Sequence, residues 1–369
     1  MSKSETHKCY FTAQLSLEEK YGKRSVVLMQ FGGFYEMYGL DTDKKIGQLE
    51  DVHSILGMTI TRKNKSLPHS EGNPYLMGFP CCAVDEHLAT LLRANFTVAK
   101  YDQRDVCVKI AGETRTRKER ILTKIYTPST FIDDAAVDTH GLLVFCLGEY
   151  KSVDTRQTFR KVHVAILSVS TGETLLFEAY DSHDDVGRAG AELYRLIHTY
   201  NPSEIIFCGK EDISKTLDVG TKKVYFRSVP KEYFNPVYQN EFLKKIFTNA
   251  PISPIEYLGL SMHSSVIPYL LQALQFAFEQ DKFIVSRIKK PIFIENKDQL
   301  ILNNDSIYQL NLISPPFDQT VSLFDIVCSA KTAMGKRMVK QRLLCPLTNI
   351  EKINKRYDRV EKMKSCYKE

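Results

Sequence analysis

Phe34 and Glu36 are the two residues whose types and spacing best suit a chemical role in this sequence. They follow an apolar run and the pair Gly32-Gly33, and glycines allow the backbone to turn sharply. If the segment after the turn is extended, its side chains alternate, so Phe34 and Glu36 project from the same face. An aromatic ring can act as a wedge between DNA bases, with the carboxylate as a hydrogen-bonding neighbour. The same triplet also occurs where a core aromatic residue precedes a solvated acid.

The residues around this triplet form an ordered series of motifs. They are Ile60-Thr61-Arg62-Lys63, Met77-Gly78-Phe79-Pro80-Cys81-Cys82-Ala83, the helically spaced Leu88, Leu91 and Leu92, and Tyr101-Asp102-Gln103. This series resembles the mismatch-recognition domain of the MutS family of DNA mismatch repair proteins. In that family a Phe-x-Glu motif reads the mispaired base, and the resemblance places the motif on Phe34 and Glu36. The family commonly has an acidic residue where this chain has Gly33, and the segment from Met37 to Asp41 is more similar to the giant-virus and octocoral mitochondrial branch.

Length, composition and cysteine usage limit the classes of protein to which this chain can belong. A chain of 369 residues is long enough for two or three domains, and 25% charged with 43% hydrophobic residues is typical of globular proteins. The sequence has no apolar run of about eighteen residues, so no membrane span is predicted. The nine cysteines include no Cys-x-x-Cys pair, which argues against structural zinc and favours an intracellular, reducing compartment.

Positive charge is concentrated between residues 104 and 124, where seven basic residues accompany three acidic ones. The net charge of +6 is compatible with nucleic-acid binding without requiring it. Two interpretations of the basic segment remain open: a solvated linker over residues 113–127, or a stretch that contacts DNA phosphates without reading sequence. The candidate DNA-binding residues besides the triplet are Arg62, Arg115, Arg117, Lys118 and Arg120.

Hydrophobic patterns predict an α/β protein of several domains, the first a mixed α/β domain over residues 1–112. Ser16-x-x-Glu19 is a capping-box pattern that predicts the start of a short helix. A strand is predicted from Ser25 to Phe31 and a helix from Asp85 to Ala94, with Asn95 as its left-handed cap. The family resemblance identifies this domain as the mismatch-recognition domain.

Two further domains are predicted after residue 127. Residues 128–235 show strands and one helix in the order β-β-β-α-β, and the resemblance implies the RNase H-like connector domain of the family. Residues 240–369 have a helical pattern and resemble the start of the family's helical core domain. Near their end, an amphipathic helix with a face packed in the core is predicted from the spacing of Ile350, Ile353, Tyr357 and Val360.

A metal-dependent nuclease of the RNase H-like type is the alternative from a different functional class. Two-metal hydrolysis requires several carboxylates that converge from the first strand, the helix and a later strand. Glu149 lies only at the end of the first strand, and Glu192 and Glu204 do not complete an obvious cluster. The sequence therefore favours the connector over the nuclease.

No phosphate-binding loop of the form G-x-x-x-x-G-K-[ST] occurs in the sequence, and residues 330–337 only approach it. We expect no ATP hydrolysis, no catalytic residue, no metal and no cofactor in this chain, whereas the full-length family uses ATP and Mg. The resemblance implies an N-terminal part of a MutS-like protein, truncated or split, or a non-functional remnant. The expected partners are mismatched double-stranded DNA and a second MutS-like subunit or a separate ATPase-bearing fragment. A general architectural DNA binder is the competing interpretation.

Overall fold

The computed structural model describes residues 3–41, 45–110, 113–130, 141–152, 156–209, 222–294, 298–300, 302, 304–313 and 320–366. Only the backbone is described for residues 3–6, 107–110, 113–117, 304–305 and 333. The chain divides into two compact units, one of residues 1–133 with 277–283 and the other of residues 134–276 with 284–369. Each unit has a hydrophobic core of its own.

The first unit is built on one mixed sheet. Its elements are α1 (Lys3–Tyr21), β1 (Ser25–Phe31), β2 (Phe34–Asp41), β3 (Lys45–Ile46), α2 (Leu49–Leu56), β4 (Thr61–Arg62), β5 (Tyr75–Pro80), α3 (Val84–Arg93), β6 (Thr97–Ile110) and β7 (Glu113–Tyr126). The strand order is β4-β5-β2-β1-β6-β7, with β3 paired to β2. Strand β1 is central, because it pairs antiparallel with β2 and parallel with β6.

The predicted strand from Ser25 to Phe31 and the left-handed Asn95 are both confirmed. Asn95 has φ of 63°, and its N–H donates to the Leu92 carbonyl just after α3 ends. Asn tolerates this backbone region better than most residues, which is why it suits the end of a helix. The two signals were recognisable because each depends on residues close together in the chain.

The predicted helix start at Ser16 is wrong, since α1 begins at Lys3 and continues through it. Tyr10, Leu17 and Tyr21 are buried on one face of α1, at spacings that a helix brings into line. Gln14 lies on the same face, where its side chain donates to the Ser25 carbonyl (2.7 Å) and accepts from the Val27 N–H (2.9 Å). Packing on β1 therefore extends the helix past the local capping pattern.

In place of the linker predicted for residues 113–127, the structure has strand β7. It pairs antiparallel with β6 from Val98↔Tyr126 to Ile110↔Glu113. In a two-stranded ribbon both faces can reach water, so dense charge is compatible with a fully hydrogen-bonded backbone. A run of basic residues does not distinguish such a ribbon from a loop, because both leave the side chains solvated.

The second unit has a second mixed sheet followed by helices. Its elements are β8 (Gly141–Lys151), β9 (Thr158–Ser168), β10 (Thr174–Tyr180), α4 (Arg188–Tyr200), β11 (Glu204–Phe207), β12 (Lys223–Phe226), α5 (Pro236–Ile246), α6 (Pro254–Tyr257), α7 (Ile267–Gln280), α8 (Lys282–Ser286), β13 (Ile292–Phe293), α9 (Asn304–Gln309), α10 (Leu323–Val327), α11 (Ala333–Leu344) and α12 (Ile350–Cys366). The strand order is β12-β11-β8-β9-β10-β13, and α7 and α8 supply residues 277–283 of the first unit.

The predicted order β-β-β-α-β is confirmed by β8, β9, β10, α4 and β11. Strands β8, β9 and β10 are antiparallel neighbours, whereas β11 runs parallel to β8 and to β12. Helix α4 buries Leu193, Leu196 and Ile197 against this sheet. None of the described helices combines the length and the apolar character that crossing a membrane requires.

Helix α12 differs from the sequence prediction. Its spacing of apolar residues is that of an amphipathic helix, yet Ile350, Tyr357 and Val360 are exposed rather than packed in a core. No residue of α12 is buried within the part of the chain that the structure describes. The pattern correctly predicts an apolar stripe, but a stripe does not specify what covers it.

One prediction concerns His163, which is buried on β9 with its ring stacked on Tyr269. Burial, with the nearby Lys161 ammonium, lowers the pKa of His163 to about 4, while the Glu178 carboxylate opposes the shift. The unfolded chain binds a proton below pH ~6.5 that the folded chain does not bind until pH ~4, so stability is lost as the pH falls through this range. We expect His163 to account for about 2 kcal/mol of lost stability between pH 7.5 and pH 5.

Urea unfolding of the wild type and of His163→Gln at both pH values measures this contribution. The Gln variant should lose less stability on acidification, because its side chain takes up no proton. An identical loss in the two proteins would mean that His163 does not carry the effect.

Candidate nucleic-acid interface

The hairpin between β1 and β2 presents the Phe-x-Glu triplet. Phe31 pairs with Phe34, so Gly32 and Gly33 are the two central residues of the turn. Gly32 has φ of 61°, a positive value that two-residue hairpin turns require and that glycine adopts freely. A Cβ added at either glycine would meet no atom within 4 Å. The turn therefore has open space around it.

The side chains at the start of β2, from Phe34 to Met37, alternate between the solvent and the core. Phe34 is 51% exposed, Tyr35 is 4% exposed and Met37 is buried. Glu36 lies on the Phe34 side of the strand, with its side chain 17% exposed. The prediction that Phe34 and Glu36 share a face is confirmed by this alternation.

The Glu36 carboxylate has two described partners. The Tyr38 hydroxyl donates to Glu36 Oε2, and Lys63 Nζ lies 3.7 Å from the same oxygen. Tyr38 is buried between the rings of His7 and Tyr10, each with its centroid 5.0 Å away. Burial and the Glu36 carboxylate raise the pKa of Tyr38, so its hydroxyl keeps its proton. Glu36 is thus anchored at the edge of the core rather than free in solvent.

Two glutamines brace the glycine turn. Gln30 Nε2 donates to the Gly32 carbonyl (3.0 Å), and the Gly32 N–H donates to Gln103 Oε1 (3.3 Å). The Gln103 N–H donates in turn to Gln30 Oε1 (2.9 Å). Side chains from β1 and β6 therefore satisfy both backbone groups of Gly32 and fix the position of the turn that precedes Phe34.

Asp102 supports the opposite side of β2. Tyr35 donates to Asp102 Oδ1 (2.5 Å) and Thr123 donates to Asp102 Oδ2 (2.8 Å). Although burial opposes it, these hydrogen bonds hold the pKa of the Asp102 carboxyl below its usual value. The motif Tyr101-Asp102-Gln103 thus supplies two residues, Asp102 and Gln103, that hold the β1–β2 hairpin in place by hydrogen bonds.

The predicted basic residues occupy different positions. Arg120 pairs across the ribbon with Gln103, and its guanidinium lies over the Phe31 ring at 4.3 Å. Lys118 is exposed on the same strand. Arg115 and Arg117 also lie on β7, but their side chains are outside the described residues. Arg62 Nη1 donates to the Leu67 carbonyl (3.0 Å), so this guanidinium helps to close its own loop.

The structure brings together a group that the sequence predicted only in part. Glu36 and Arg120 were expected, and Lys63 and Phe31 were not. Lys63 lies 5.4 Å from the centre of the Phe31 ring, on which Arg120 also stacks. The signal for Lys63 was its place directly after Arg62 in a family-like motif, but nothing local identified Glu36 as its partner.

Two of the three acids considered for a nuclease have structural partners instead. Glu192 is buried and pairs with Arg195 Nε at 2.8 Å, and Glu204 is buried and accepts from the Tyr225 hydroxyl at 2.5 Å. Glu149 is exposed. Among the described residues, no group of three or more His, Cys, Asp or Glu side chains is placed to hold a metal ion. The nuclease alternative gains no support from this geometry.

The chain is similar in sequence to DNA mismatch repair proteins of the MutS class. The MutS domain I family model matches residues 12–135 and the MutS domain III model matches residues 305–368, together just over half of the chain. A putative mismatch repair MutS homologue of Acanthamoeba polyphaga mimivirus is 27% identical over 95% of this chain and 34% of its own length. The MutS proteins of Thermotoga neapolitana and Petrotoga mobilis are 26% and 25% identical over 95% and 94% of this chain, and 38% of each relative is covered.

The chain belongs to the MutS family, which confirms the resemblance found from its motifs. The mimivirus homologue agrees with the expected likeness to the giant-virus branch. The chain spans about a third of the length of the curated relatives it matches.

Proposed function

We propose that this chain recognises mispaired double-stranded DNA for mismatch repair, with Phe34 as a wedge and Glu36 as a hydrogen-bond acceptor. The observation that carries the proposal is the half-exposed Phe34 on a braced hairpin, within the region that MutS domain I matches. At this exposure the ring is accessible to a binding partner, and its place directly after the braced turn, in the matched region, favours Phe34 as the wedge over other exposed aromatic residues.

Discrimination follows from the energy of deforming DNA. Inserting Phe34 between bases requires unstacking and kinking, which costs a few kcal/mol per step. A mismatched step is already poorly stacked and bends more easily, so the same insertion costs less there. Recognition of this kind depends on deformability rather than on base sequence.

Glu36 adds a second contribution to the preference. Its carboxylate can accept a hydrogen bond from a displaced base, and next to an ordinary duplex the same charge is repelled by phosphates. The Tyr38 hydroxyl and the Lys63 ammonium hold the carboxylate in place beside the wedge. Glu36 would therefore favour binding to a displaced base and disfavour binding to an intact duplex.

The other assignments follow from the family and the topology. We assign an RNase H-like connector to the strands of the second unit, supported by the order β10-β9-β8-β11-β12 with only the first three antiparallel. The helices after residue 240 are proposed as part of the family's core domain, supported by the MutS domain III match. We propose that family regions which this sequence does not match bind ATP and Mg. The same regions would contact a second MutS-like subunit or belong to a separate ATPase-bearing fragment.

The test compares two duplexes of equal length that differ by one mismatch. Fluorescence anisotropy with the 369-residue chain at low salt should show tighter binding to the mismatched duplex. Equal affinities would favour a general architectural DNA binder.

Incubation of both duplexes with Mg or Mn tests the nuclease alternative, for which strand cleavage is the positive result.

A further prediction concerns the basic residues of β7. Replacing Arg115, Arg117 and Lys118 with glutamine should weaken binding to mismatched and perfect duplexes alike, because the phosphates that they would neutralise carry no sequence information. The slope of log Kd against log salt should fall by about 0.9 for each DNA phosphate that is no longer neutralised. Arg120 is left unchanged in this variant, since it packs on Phe31.

An unchanged salt slope would remove β7 from the interface. Exchange of the same three residues for lysine or arginine, which keeps the charge, is the matched control and should retain the slope of the wild type.

A further inference from the structure

Lys63 lies between a carboxylate and an aromatic ring at the candidate interface. Its Nζ is 3.7 Å from Glu36 Oε2 and 5.4 Å from the centre of the Phe31 ring. The Lys63 side chain is 43% exposed, so it is accessible to a DNA phosphate while it pairs with Glu36. Arg120 stacks on the same ring, with its guanidinium carbon 4.3 Å from the ring centre, so two cations share the Phe31 ring.

The loop that presents Lys63 is held in a defined conformation. Asn73 is 5% exposed, and its Nδ2 donates to the carbonyls of Asn64 (2.8 Å) and Leu67 (3.1 Å). The Asn64 N–H donates back to Asn73 Oδ1 (3.1 Å). Arg62 closes the same loop through the Leu67 carbonyl. Lys63 therefore approaches Glu36 from a preorganised segment, which lowers the entropy cost of the ion pair.

We propose that Lys63 is a specificity-determining residue that acts through Glu36. The inference rests on the proposed function and adds a counter-ion to it. Lys63 offsets part of the Glu36 charge, so it reduces the repulsion between this carboxylate and an ordinary duplex. When a displaced base donates a hydrogen bond to Glu36, the carboxylate depends less on Lys63. Lys63 thus raises affinity for both mismatched and perfect duplexes, and it reduces the ratio between the two affinities.

Lys63→Met tests the proposal in the full 369-residue chain. The quantity measured is the ratio of Kd for a perfect duplex to Kd for a mismatched duplex of the same length. We expect this ratio to rise about fivefold, the scale of one partly exposed ion pair, while affinity for both duplexes falls. Lys63→Arg keeps the charge and should retain the ratio of the wild type.

Lys65→Met is the matched control, because Lys65 is an exposed lysine of the same loop. It removes one positive charge near the interface and should leave the ratio unchanged. In a Glu36→Gln background, Lys63→Met should also leave the ratio unchanged, since the charge on which Lys63 acts is then absent. Together, the Lys65→Met control and the Glu36→Gln background distinguish an effect that acts through Glu36 from a general loss of positive charge.

Two results would overturn the inference while mismatch recognition stands: a ratio in Lys63→Met no higher than in Lys65→Met, or an equal rise in the Glu36→Gln background. A wild-type chain with equal affinity for both duplexes would instead refute the proposed function, and the role of Lys63 would fall with it. Melting temperatures of the lysine variants should match the wild type, and that of Glu36→Gln with Lys63→Met should match Glu36→Gln alone, because the replaced ammonium groups are exposed.

Discussion

Replacing Phe34 with alanine is expected to abolish the preference for mismatched DNA and to leave the fold intact. A methyl group cannot stack on a base, and stacking of one aromatic side chain contributes about 1 to 3 kcal/mol. The ratio of affinities for mismatched and perfect duplexes should therefore fall about fivefold to a hundredfold, towards one. Because Phe34 is half exposed, the free energy of unfolding should change by less than about 0.5 kcal/mol.

Tyr35→Ala is the matched control, since it removes the next aromatic side chain from the opposite face of β2. Tyr35 is buried and donates to Asp102, so its loss should cost about 3 to 5 kcal/mol of stability. Circular dichroism melts and mismatch-binding assays on both variants give the comparison. A large fall in melting temperature for Phe34→Ala would show that Phe34 is a core residue and that the wedge assignment is wrong.

The second large effect is expected from Arg195→Met in the second unit. Arg195 and Glu192 are both buried on α4 and pair at 2.8 Å, and Arg195 Nη1 also contacts Cys345 Sγ (2.9 Å) at the end of α11. Removing the arginine breaks this buried ion pair, and loss of one member of such a pair typically costs about 3 to 5 kcal/mol. Urea unfolding monitored by circular dichroism measures the loss.

The double variant Glu192→Met with Arg195→Met distinguishes the ion pair from simple packing. It removes both charges and retains apolar volume, so it should be more stable than Arg195→Met alone. A double variant as unstable as the single one would mean that lost packing, and not the broken Glu192–Arg195 ion pair, causes the effect.

The parts of the fold that were predictable depend on neighbours in sequence. Strand β1, the shared face of Phe34 and Glu36 and the left-handed Asn95 each follow from a few adjacent residues and a fixed backbone period. These signals are local, so burial elsewhere in the molecule did not alter them.

The features that sequence alone missed depend on residues far apart in the chain. The length of α1 is set by packing on β1, and β7 is a strand because β6 pairs with it. Lys63 lies beside Glu36 because a loop fixed by Asn73 places it there. Composition and period contain no information about such partners, which only the folded chain brings together.

The open space around Gly32 and Gly33 has a consequence for how this surface can change over evolutionary time. New side chains at the end of the hairpin would meet no neighbour at Gly33, whereas Tyr35 and Met37 further along β2 are confined by the core. On the proposed function, substitutions at Gly33 and Phe34 would change folding little, and selection would act on them through DNA binding. The bracing glutamines and Asp102 keep the scaffold constant while the end of the hairpin diversifies. On that proposal, a lineage could change which mispaired bases the hairpin recognises without first acquiring compensating stability.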